Sequence, residues 1–350
     1  MVRGRLTTTT AATAALLLST AGAASAGEPT VLTDEVLGPF NIAVDDGGVY
    51  VADGFTSTIS RIRSTGLETK ATGPDPGDVA GLAFNRSGDT MAYTTTSYEN
   101  GTSTLTIKHG DTTEVVDLSA FESNRNPDKR NEYGINNASQ CVKDALGEFA
   151  EYTGIVESHP YAVTAWKDGW IVADAAGNDL LEVDQDGDVS VLAVLPTQPE
   201  KITQEMADHE GLPSCVVGET YRFEPVPTDV EWGPDGKLYV TTLPGGPEDP
   251  SFGDRGSVYK VDPSSGDTDR IATGFAGATN LAVAPGGKIY VAELFGGQIS
   301  TIKDGKPHAW MSLEGALAVE YSDGHLYAST MAQMDDTGNI TAPGTVVKLT

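Results

Sequence analysis

Alternating hydrophobic and polar positions run along most of the chain, and they recur in the same order. The stretch ATNLAVAPGGKIYVAELFGGQIS (residues 278–300) contains one alternating segment, a Pro-Gly-Gly turn and a second alternating segment. FNIAVDDGGVYVADGFTSTIS (40–60), TDVEWGPDGKLYVTT (228–242) and LAVEYSDGHLYAST (317–330) repeat this order. A period of two predicts β-strands, and the Gly-containing pairs predict tight hairpins. A helical fold is disfavoured because the helical period is absent from the repeat.

The second strand of the repeat occurs six times, with starts separated by 42, 79, 68, 51 and 37 residues. Its copies begin at Val49, Met91, Trp170, Leu238, Ile289 and Leu326. A unit of about 40 residues with four short strands is typical of a propeller blade. The pattern therefore predicts an all-β fold, a six-bladed β-propeller with four-stranded blades.

The two ends of the chain complete each other in this prediction. The last repeat lacks an outer strand, and the stretch Pro29–Leu37 offers an unassigned one. We expect this N-terminal strand to close the last blade, because pairing removes two open sheet edges. Since the repeat runs through the whole chain, residues 27–350 are predicted to form a single domain.

Two wide spacings locate insertions at residues 121–158 and 196–227, both between blades. In a propeller these connections lie on one face, so we expect that face to carry the function. Parts of the insertions have helical spacing, at residues 141–150 and at 203–210, with Thr203 as a candidate N-cap.

The first 26 residues have the features of a secretory signal. Arg3 and Arg5 precede a short apolar run, and Ala24-Ser25-Ala26 matches a cleavage site. The sequence predicts cleavage after Ala26 and a secreted, extracellular protein. No later stretch approaches the roughly 20 apolar residues of a membrane helix, so no membrane insertion is expected.

The chain carries 50 acidic against 22 basic residues, a formal charge of −28. Such a surface disfavours nucleic acid and anionic membranes as partners. The remaining candidates are a small molecule, a glycan or an extracellular protein. Cys141 and Cys215 lie one in each insertion, and export favours a disulfide between them over two free thiols.

Polar residues open several of the predicted inner strands, where they would surround the propeller axis. They are Asn41, His159, Tyr161, Asp229 and Asn280. The oxygens of Asn41, Asp229 and Asn280 are ligands that suit calcium or another divalent cation on the axis; the alternative is a polar channel that binds water.

Two further carboxylates, Glu231 and Glu320, follow on comparable strands and would add negative charge near the axis. His159 and Asp229 are the candidate general bases. The stretch from Asp184 to Asp188 resembles part of a calcium loop, but it lacks the downstream glutamate. It is predicted to be a hairpin turn.

Four stretches resemble the ScyD/ScyE family of exported propellers, and the resemblance covers nearly all of the predicted mature chain. They are YTGIVESHPYAV (152–163), GLPSCVVGETYRFEPVPTDVEWGPDG (211–236), LYVTTLPGGPEDPSFGDRGSVYKVDP (238–263) and GFAGATNLAVAPGGKIYVAELFGGQIS (274–300). The resemblance implies a secreted six-bladed propeller, and it implies no particular catalytic residues.

The blades also resemble, more distantly, NHL-type and gluconolactonase-type propellers. The gluconolactonase type binds an axial divalent metal through a glutamate, two asparagines and an aspartate. Asp229, Asn280 and Asn41 match by local context, whereas the glutamate that would open the first inner strand is replaced by Gly38-Pro39-Phe40.

Two functions follow as hypotheses. The first is a non-catalytic binding or scaffold protein that uses its long-loop face. It is favoured because no G-x-S-x-G nucleophile turn or multi-histidine zinc pattern is present. The second is a divalent-metal-dependent hydrolase or lyase, in which the axial cation would polarise a carbonyl or activate water.

Overall fold

The computed structural model describes residues 29–45, 48–247, 252–335 and 337–349. The predicted secretory signal lies outside these residues. The described chain is dominated by antiparallel four-stranded sheets, of which six follow the sequence repeat. We number these six repeat sheets 1 to 6 in chain order.

Each repeat sheet pairs its strands in the order in which they follow one another from the inner to the outer edge. The strands are, for sheet 1, β2 (Pro39–Asp45), β3 (Gly48–Asp53), β4 (Thr58–Arg63) and β5 (Gly66–Thr72); for sheet 2, β6 (Gly77–Phe84), β7 (Thr90–Ser97), β8 (Thr102–His109) and β9 (Thr112–Asp117); for sheet 3, β12 (Pro160–Trp166), β13 (Gly169–Asp174), β14 (Asp179–Val183) and β15 (Val189–Val194); for sheet 4, β18 (Pro227–Trp232), β19 (Leu238–Thr242), β20 (Gly256–Val261) and β21 (Thr268–Phe275); for sheet 5, β22 (Ala278–Val283), β23 (Ile289–Glu293), β24 (Gln298–Lys303) and β25 (Lys306–Ser312); and for sheet 6, β26 (Ala316–Ser322), β27 (His325–Thr330), β30 (Gly344–Leu349) and β1 (Thr30–Val36).

Sheet 6 combines the two ends of the described chain. Strand β1 pairs antiparallel with β30, with Thr30 opposite Lys348 and Val36 opposite Gly344. The N-terminal segment therefore supplies the outer strand that the last repeat lacks, in agreement with the sequence prediction.

The inner strands of the six repeat sheets pack against one another in cyclic order. Strand β2 contacts β6, β6 contacts β12, and the contacts continue through β18, β22 and β26 back to β2. Gly81 on β6 permits one close approach, since a Cβ there would meet the Ala162 backbone at 2.8 Å. Apolar side chains fill the spaces between sheets, as where Trp166 stacks on Trp232 with ring centroids 4.5 Å apart.

The two insertions form a separate layer, which we call the insertion layer (residues 118–159 and 195–226). It contains a seventh four-stranded sheet with the order β11-β10-β17-β16. The strands of this sheet are β10 (Glu132–Gly134), β11 (Glu151–Thr153), β16 (Gln198–Lys201) and β17 (Thr220–Phe223). A two-stranded hairpin, β28 (Gln333–Met334) and β29 (Ile340–Ala342), lies within the last repeat.

Helices within the described residues belong to the insertion layer. They are α1 (Leu118–Arg125), α2 (Gln140–Leu146) and α3 (Gln204–His209), with short 3-10 helices at Gly147–Ala150 and Ser214–Val216. The Thr203 hydroxyl accepts from the Met206 amide and caps α3, as predicted. Helix α1 was not predicted.

A disulfide joins Cys141 on α2 to Cys215 in the second 3-10 helix, which confirms the predicted bond between the two insertions. Both cysteines border an apolar cluster of the insertion layer that includes Val142, Met206 and Val216. The bond therefore links the two long connections directly. In the part of the chain that is described, no helix is long and apolar enough to cross a membrane.

Candidate functional site

Three of the predicted axial residues occupy equivalent positions on inner strands. Asn41, Asp229 and Asn280 each follow a register irregularity at the start of β2, β18 and β22. The bulge lets the strand begin with the chain entering from its connection and then turns this side chain toward the neighbouring repeat. All three side chains are buried.

Two of these side chains fasten one repeat sheet to the next. Asp229 Oδ2 accepts from the Leu281 amide at 2.8 Å, and Asn280 Oδ1 accepts from the Val319 amide at 2.7 Å. Threonines reinforce the same junctions, because Thr228 donates to the Ala278 carbonyl and Thr279 to the Leu317 carbonyl. Asp229 and Asn280 therefore have a structural task between sheets 4, 5 and 6.

Replacement of Asn280 by alanine is expected to lower the free energy of unfolding by about 2 kcal/mol, because the buried Val319 amide loses its acceptor. Urea denaturation followed by tryptophan fluorescence would measure this loss. Asn136→Ala, at an exposed position of the insertion layer, is the matched control and should change stability by less than about 0.5 kcal/mol. Equal effects for the two variants would contradict the proposed fastening role.

The axial residues do not fit a cation in this arrangement. Asp229 also accepts from the Val230 amide, so both residues on either side of sheet 5 use side-chain oxygens to bind backbone donors. Among the described residues, no three carboxylate, imidazole or thiol side chains converge at metal-ligand spacing. A calcium ion prefers six to eight oxygen ligands, which this set does not offer.

The central carboxylates, Asp229, Glu231 and Glu320, instead form an electrostatically coupled group on β18 and β26. Burial raises the pKa of Asp229 to about 7. Burial, with the negative charge of Asp229, raises the pKa of Glu320 to about 8. The pKa of Glu231 lies well above its usual range, because burial and the charges of Glu320 and Asp229 disfavour ionisation.

His159 lies apart from this group, at the junction of sheets 2 and 3. Its Nε2 is 2.9 Å from Asp78 Oδ2, and the Tyr98 hydroxyl donates to the same oxygen at 2.6 Å. The His159 amide donates to Asp174 Oδ1 at 2.7 Å, so the turn carboxylate of sheet 3 fixes its backbone. Because Asp78 is buried, its carboxylate holds the imidazole in one orientation.

The environment of His159 favours the protonated imidazole. Burial lowers its pKa, but the hydrogen bond and charge of Asp78, aided by Asp174 and Glu157, outweigh burial and raise the pKa overall. The ring also contacts Tyr161 edge-on at 5.9 Å, and Tyr161 stacks on Phe40 of sheet 1 at 5.4 Å. A histidine with this carboxylate partner can exchange a proton with a ligand.

The first insertion places an open cleft beside this histidine. The cleft has a volume of about 580 Å³. Its polar walls include Tyr98, Ser119, Glu122, Glu157, Ser158 and His159. His159 and Tyr161 are thus together, whereas Asp229 and Asn280 are engaged at another junction.

A second cavity, the apolar pocket, lies inside the insertion layer and has a volume of about 430 Å³. Aromatic and aliphatic side chains make most of its walls. They include Leu146, Phe149, Tyr152, Ile202, Met206, Leu212, Tyr221, Phe223, Pro247 and Phe252, with Glu210 and Glu224 as acidic members.

Aromatic contacts fix the walls of the apolar pocket. Tyr221 and Phe223 have ring centroids 4.5 Å apart, and the Tyr221 hydroxyl donates to the Phe149 carbonyl. The Arg255 guanidinium lies over the Phe223 ring at 4.4 Å and donates to the Gly245 carbonyl. These contacts hold side chains from both insertions and from sheet 4 in place.

Glu224 is the acidic group in this pocket whose ionisation is most strongly altered. Burial raises its pKa to about 7, assisted by the negative charges of Asp128 and Glu157. Near neutral pH the carboxyl group therefore exists in both forms, and it can accept or donate a hydrogen bond to a ligand. The sequence prediction missed this pocket, Asp78 and Tyr98; their only sequence signal is their place in or beside long connections.

The comparisons with solved structures show the fold. A glucose-dehydrogenase-type oxidoreductase of Thermus thermophilus is 17% identical, covers 92% of this chain and 99% of its own, and has a TM-score of 0.55. A gluconolactonase of Xanthomonas campestris is 13% identical, with coverages of 93% and 91% and a TM-score of 0.55. The chain is therefore a β-propeller.

A third similar structure is the aldose sugar dehydrogenase of Streptomyces coelicolor in its PQQ-bound form. It is 14% identical, covers 92% of this chain and 97% of its own, and has a TM-score of 0.53. No family model matches the chain, and no curated protein matches its sequence. At such low identity the likenesses establish the architecture alone.

Proposed function

We propose that this protein is a ligand-binding propeller whose insertion layer holds a small, largely aromatic molecule in the apolar pocket. The observation that carries this proposal is the pocket of about 430 Å³ lined by packed aromatic side chains. Concave, mostly apolar cavities with a few polar groups are the usual form of small-molecule sites.

The wall chemistry defines the class of ligand. Phe149 and Tyr152 meet edge-to-face at 5.7 Å, so a planar ring can extend this aromatic packing. Glu224 offers one hydrogen-bonding group within an otherwise apolar wall. A small aromatic compound with a hydrogen-bond donor, such as a phenol or an indole, matches these features.

The test is a ligand-observed NMR screen of small phenols and indoles against the wild-type protein, followed by titration of the hits. Tyr152→Ala is expected to weaken binding about tenfold, the effect of losing one aromatic contact of about 1 to 1.5 kcal/mol. Phe149→Ala should also weaken binding, since this half-exposed ring forms part of the wall.

Phe295→Ala is the matched control, because Phe295 is comparably exposed but belongs to sheet 5. Its affinity for the hits should equal that of the wild type. Unchanged affinity in both pocket variants, or a screen without a single hit, would reject the aromatic-ligand proposal.

The second candidate function is proton-transfer catalysis, as hydrolysis or elimination, in the cleft beside His159. The Asp78–His159 contact of 2.9 Å supports it. The metal-dependent form of this hypothesis lacks support, because Asp229 and Asn280 are engaged with backbone amides.

A panel of lactones and esters assayed between pH 5 and 9 tests the second candidate. His159→Gln is expected to lower kcat by 10²- to 10⁴-fold if the imidazole transfers a proton, while Phe149→Ala leaves kcat unchanged. Absence of turnover by the wild-type protein, or an unaffected His159→Gln variant, would reject catalysis at this histidine.

We also propose that the protein is exported as a closed six-bladed ring. The cyclic contacts of the inner strands and the pairing of β1 with β30 support the ring. The cleavage pattern ending at Ala26 and the Cys141–Cys215 bond support export. N-terminal sequencing of protein recovered from the medium should begin at Gly27.

A further inference from the structure

A group of buried carboxylates lies where the insertion layer meets sheet 3, and neither proposed function uses it. Glu122 on α1, Asp128 in the following loop, and Asp174 and Asp179 on β13 and β14 are each at most 3% exposed. We call these four residues the junction carboxylates. Asp174 and Asp179 stand directly opposite each other in the β13–β14 register.

Several oxygens in this group lack hydrogen-bond partners although they are fully buried. They are both Asp179 oxygens, Glu122 Oε1, Asp128 Oδ1 and the neighbouring Asn126 Oδ1. All five are acceptors. A buried polar atom without a partner is costly, and five acceptors at one junction indicate a missing positive species or donor.

The donors around the junction are already engaged with other oxygens. The Tyr133 hydroxyl and the Asn178 side-chain amide both donate to Asp128 Oδ2. Asp174 accepts from the Ser158 hydroxyl and from the Gly177 amide. None of these donors reaches Asp179.

Comparison with other repeat sheets shows that Asp179 is an unusual choice. The residue opposite the turn carboxylate is Thr58 in sheet 1, facing Asp53, and Gln298 in sheet 5, facing Glu293. The Gln298 amide donates to Glu293 Oε1 at 2.9 Å. In sheet 3 a second carboxylate takes the place of this donor, so the repeat does not require an acid at Asp179.

The charges that act on Asp179 all have the same sign. Burial, together with the negative charges of Asp174, Glu122 and Asp128, places its pKa well above the usual range. A bound cation would reverse this balance by neutralising the group.

We propose that the junction carboxylates bind a hard divalent cation, calcium, through Asp179, Asp128 and Glu122, with Asn126 Oδ1 as a further oxygen ligand. Calcium accepts six to eight oxygens, including carboxylates and side-chain carbonyls, in irregular geometry. Since no three acidic side chains of the described chain already converge at ligand spacing, binding includes small side-chain rotations toward the ion.

Such an ion would fasten the first insertion to the propeller. It would join α1 and the loop after it to the start of β14. The loop is closely fitted there, because a Cβ on Gly154 would overlap Asp128 Oδ1 and the Asn126 side chain donates to the Gly154 carbonyl. This site differs from the axis of the propeller and from the cleft beside His159.

The test uses the purified protein, stripped with chelator, in a thermal unfolding scan with and without calcium chloride. Calcium is expected to raise the midpoint of the wild type and to leave Asp179→Asn unchanged. Terbium provides a direct probe of the same site, since Tyr133 donates to Asp128 at 2.8 Å and can sensitise terbium luminescence. Asp179→Asn and Asp128→Asn should each weaken terbium binding by roughly tenfold or more.

The control is Asp186→Asn, which makes the same charge change in the exposed hairpin turn between β14 and β15. It should keep the full calcium shift. Should Asp179→Asn fail to fold, terbium titration of the wild type, with calcium as competitor, and of Asp128→Asn decides. The proposal is overturned by an absent calcium shift in the wild type, by a shift retained in Asp179→Asn, or by a shift lost in Asp186→Asn.

Discussion

Replacing both Cys141 and Cys215 by serine is expected to lower the free energy of unfolding of the insertion layer by about 4 kcal/mol. The bond spans a sequence separation of 74 residues, and the entropy of closing a loop of that length in the unfolded chain gives this value. Chemical denaturation of the double variant, against the oxidised wild type, would measure the loss.

The effect should be local before it becomes global. Helix α2 carries Cys141 and continues into Leu146 and Phe149, while Leu212 lies shortly before Cys215; all three line the apolar pocket. We therefore expect the double variant to lose binding of aromatic ligands at temperatures at which the repeat sheets remain folded.

Hydrogen exchange would separate the two levels of this prediction. Amides of α2 and α3 should exchange faster in the double variant, and amides of β22 and β23 in sheet 5 should not. Addition of reductant to the wild type is the control and should reproduce the variant. A stability loss below about 1 kcal/mol, or equal deprotection of sheet 5, would contradict the assigned role of the bond.

The repeat sheets were predictable because their information is local. Each copy carries its own alternation and its own turn glycines, as at Gly287, whose φ of +79° suits a residue without a side chain. The predicted second strand beginning at Ile289 is β23, and that at Leu238 is β19. Repetition then averages out the ambiguity of any single segment.

The insertion layer was less predictable because its structure depends on distant partners. Strand β10 pairs with β17 through Gly134 and Arg222, nearly ninety positions apart in sequence, and neither segment has a repeat to reveal it. Helix α1 begins at Leu118, directly after a strand, and Asp117 caps it by accepting from the Ala120 amide. Its weak apolar pattern concealed it in the sequence.

The candidate site shows the same division. The sequence places Asp229 and Asn280 at the inner ends of their strands, but their hydrogen-bond partners, Leu281 and Val319, belong to the following repeats. The partner of His159 is Asp78, 81 positions away. Which buried polar residue is free for a ligand is a property of packing, and packing between blades has no short sequence signal.

Raising the pH from about 5 to 8 is expected to destabilise the protein by several kcal/mol. The central carboxylates have folded pKa values above their usual range, about 7 for Asp229 and about 8 for Glu320. Below pH 4 these groups are protonated in both states. Between pH 4 and 8 the folded state binds more protons than the unfolded state, so stability falls by about 1.4 kcal/mol per pH unit for each such group.

Other groups define the acid side of the stability profile. Hydrogen bonds from Lys70 and Arg63 lower the pKa of Glu68 to about 2, and hydrogen bonds from Asn85, Ser87 and Thr90 lower that of Asp89. A lowered pKa contributes stability that is lost as the pH falls through it. The optimum is therefore expected near pH 5, between the two sets.

Glu320→Gln isolates the contribution of the central group. The amide cannot ionise, so we expect this variant to be more stable than the wild type by about 1 to 3 kcal/mol at pH 8 and nearly equal to it at pH 5. Glu231→Gln should behave in the same way, because each charge opposes the other. Urea denaturation at pH 5, 6.5 and 8, in chelator throughout, measures both.

The matched control is Glu314→Gln, an exposed position near the start of the same repeat. Its stability should follow the wild type at every pH. A wild-type protein that becomes more stable between pH 5 and 8, or a Glu320→Gln variant with an unaltered pH dependence, would mean that these carboxylates are ionised in the folded protein. The charge at the centre of the propeller would then require a counterion, and the axial cation predicted from the sequence would regain its physical basis.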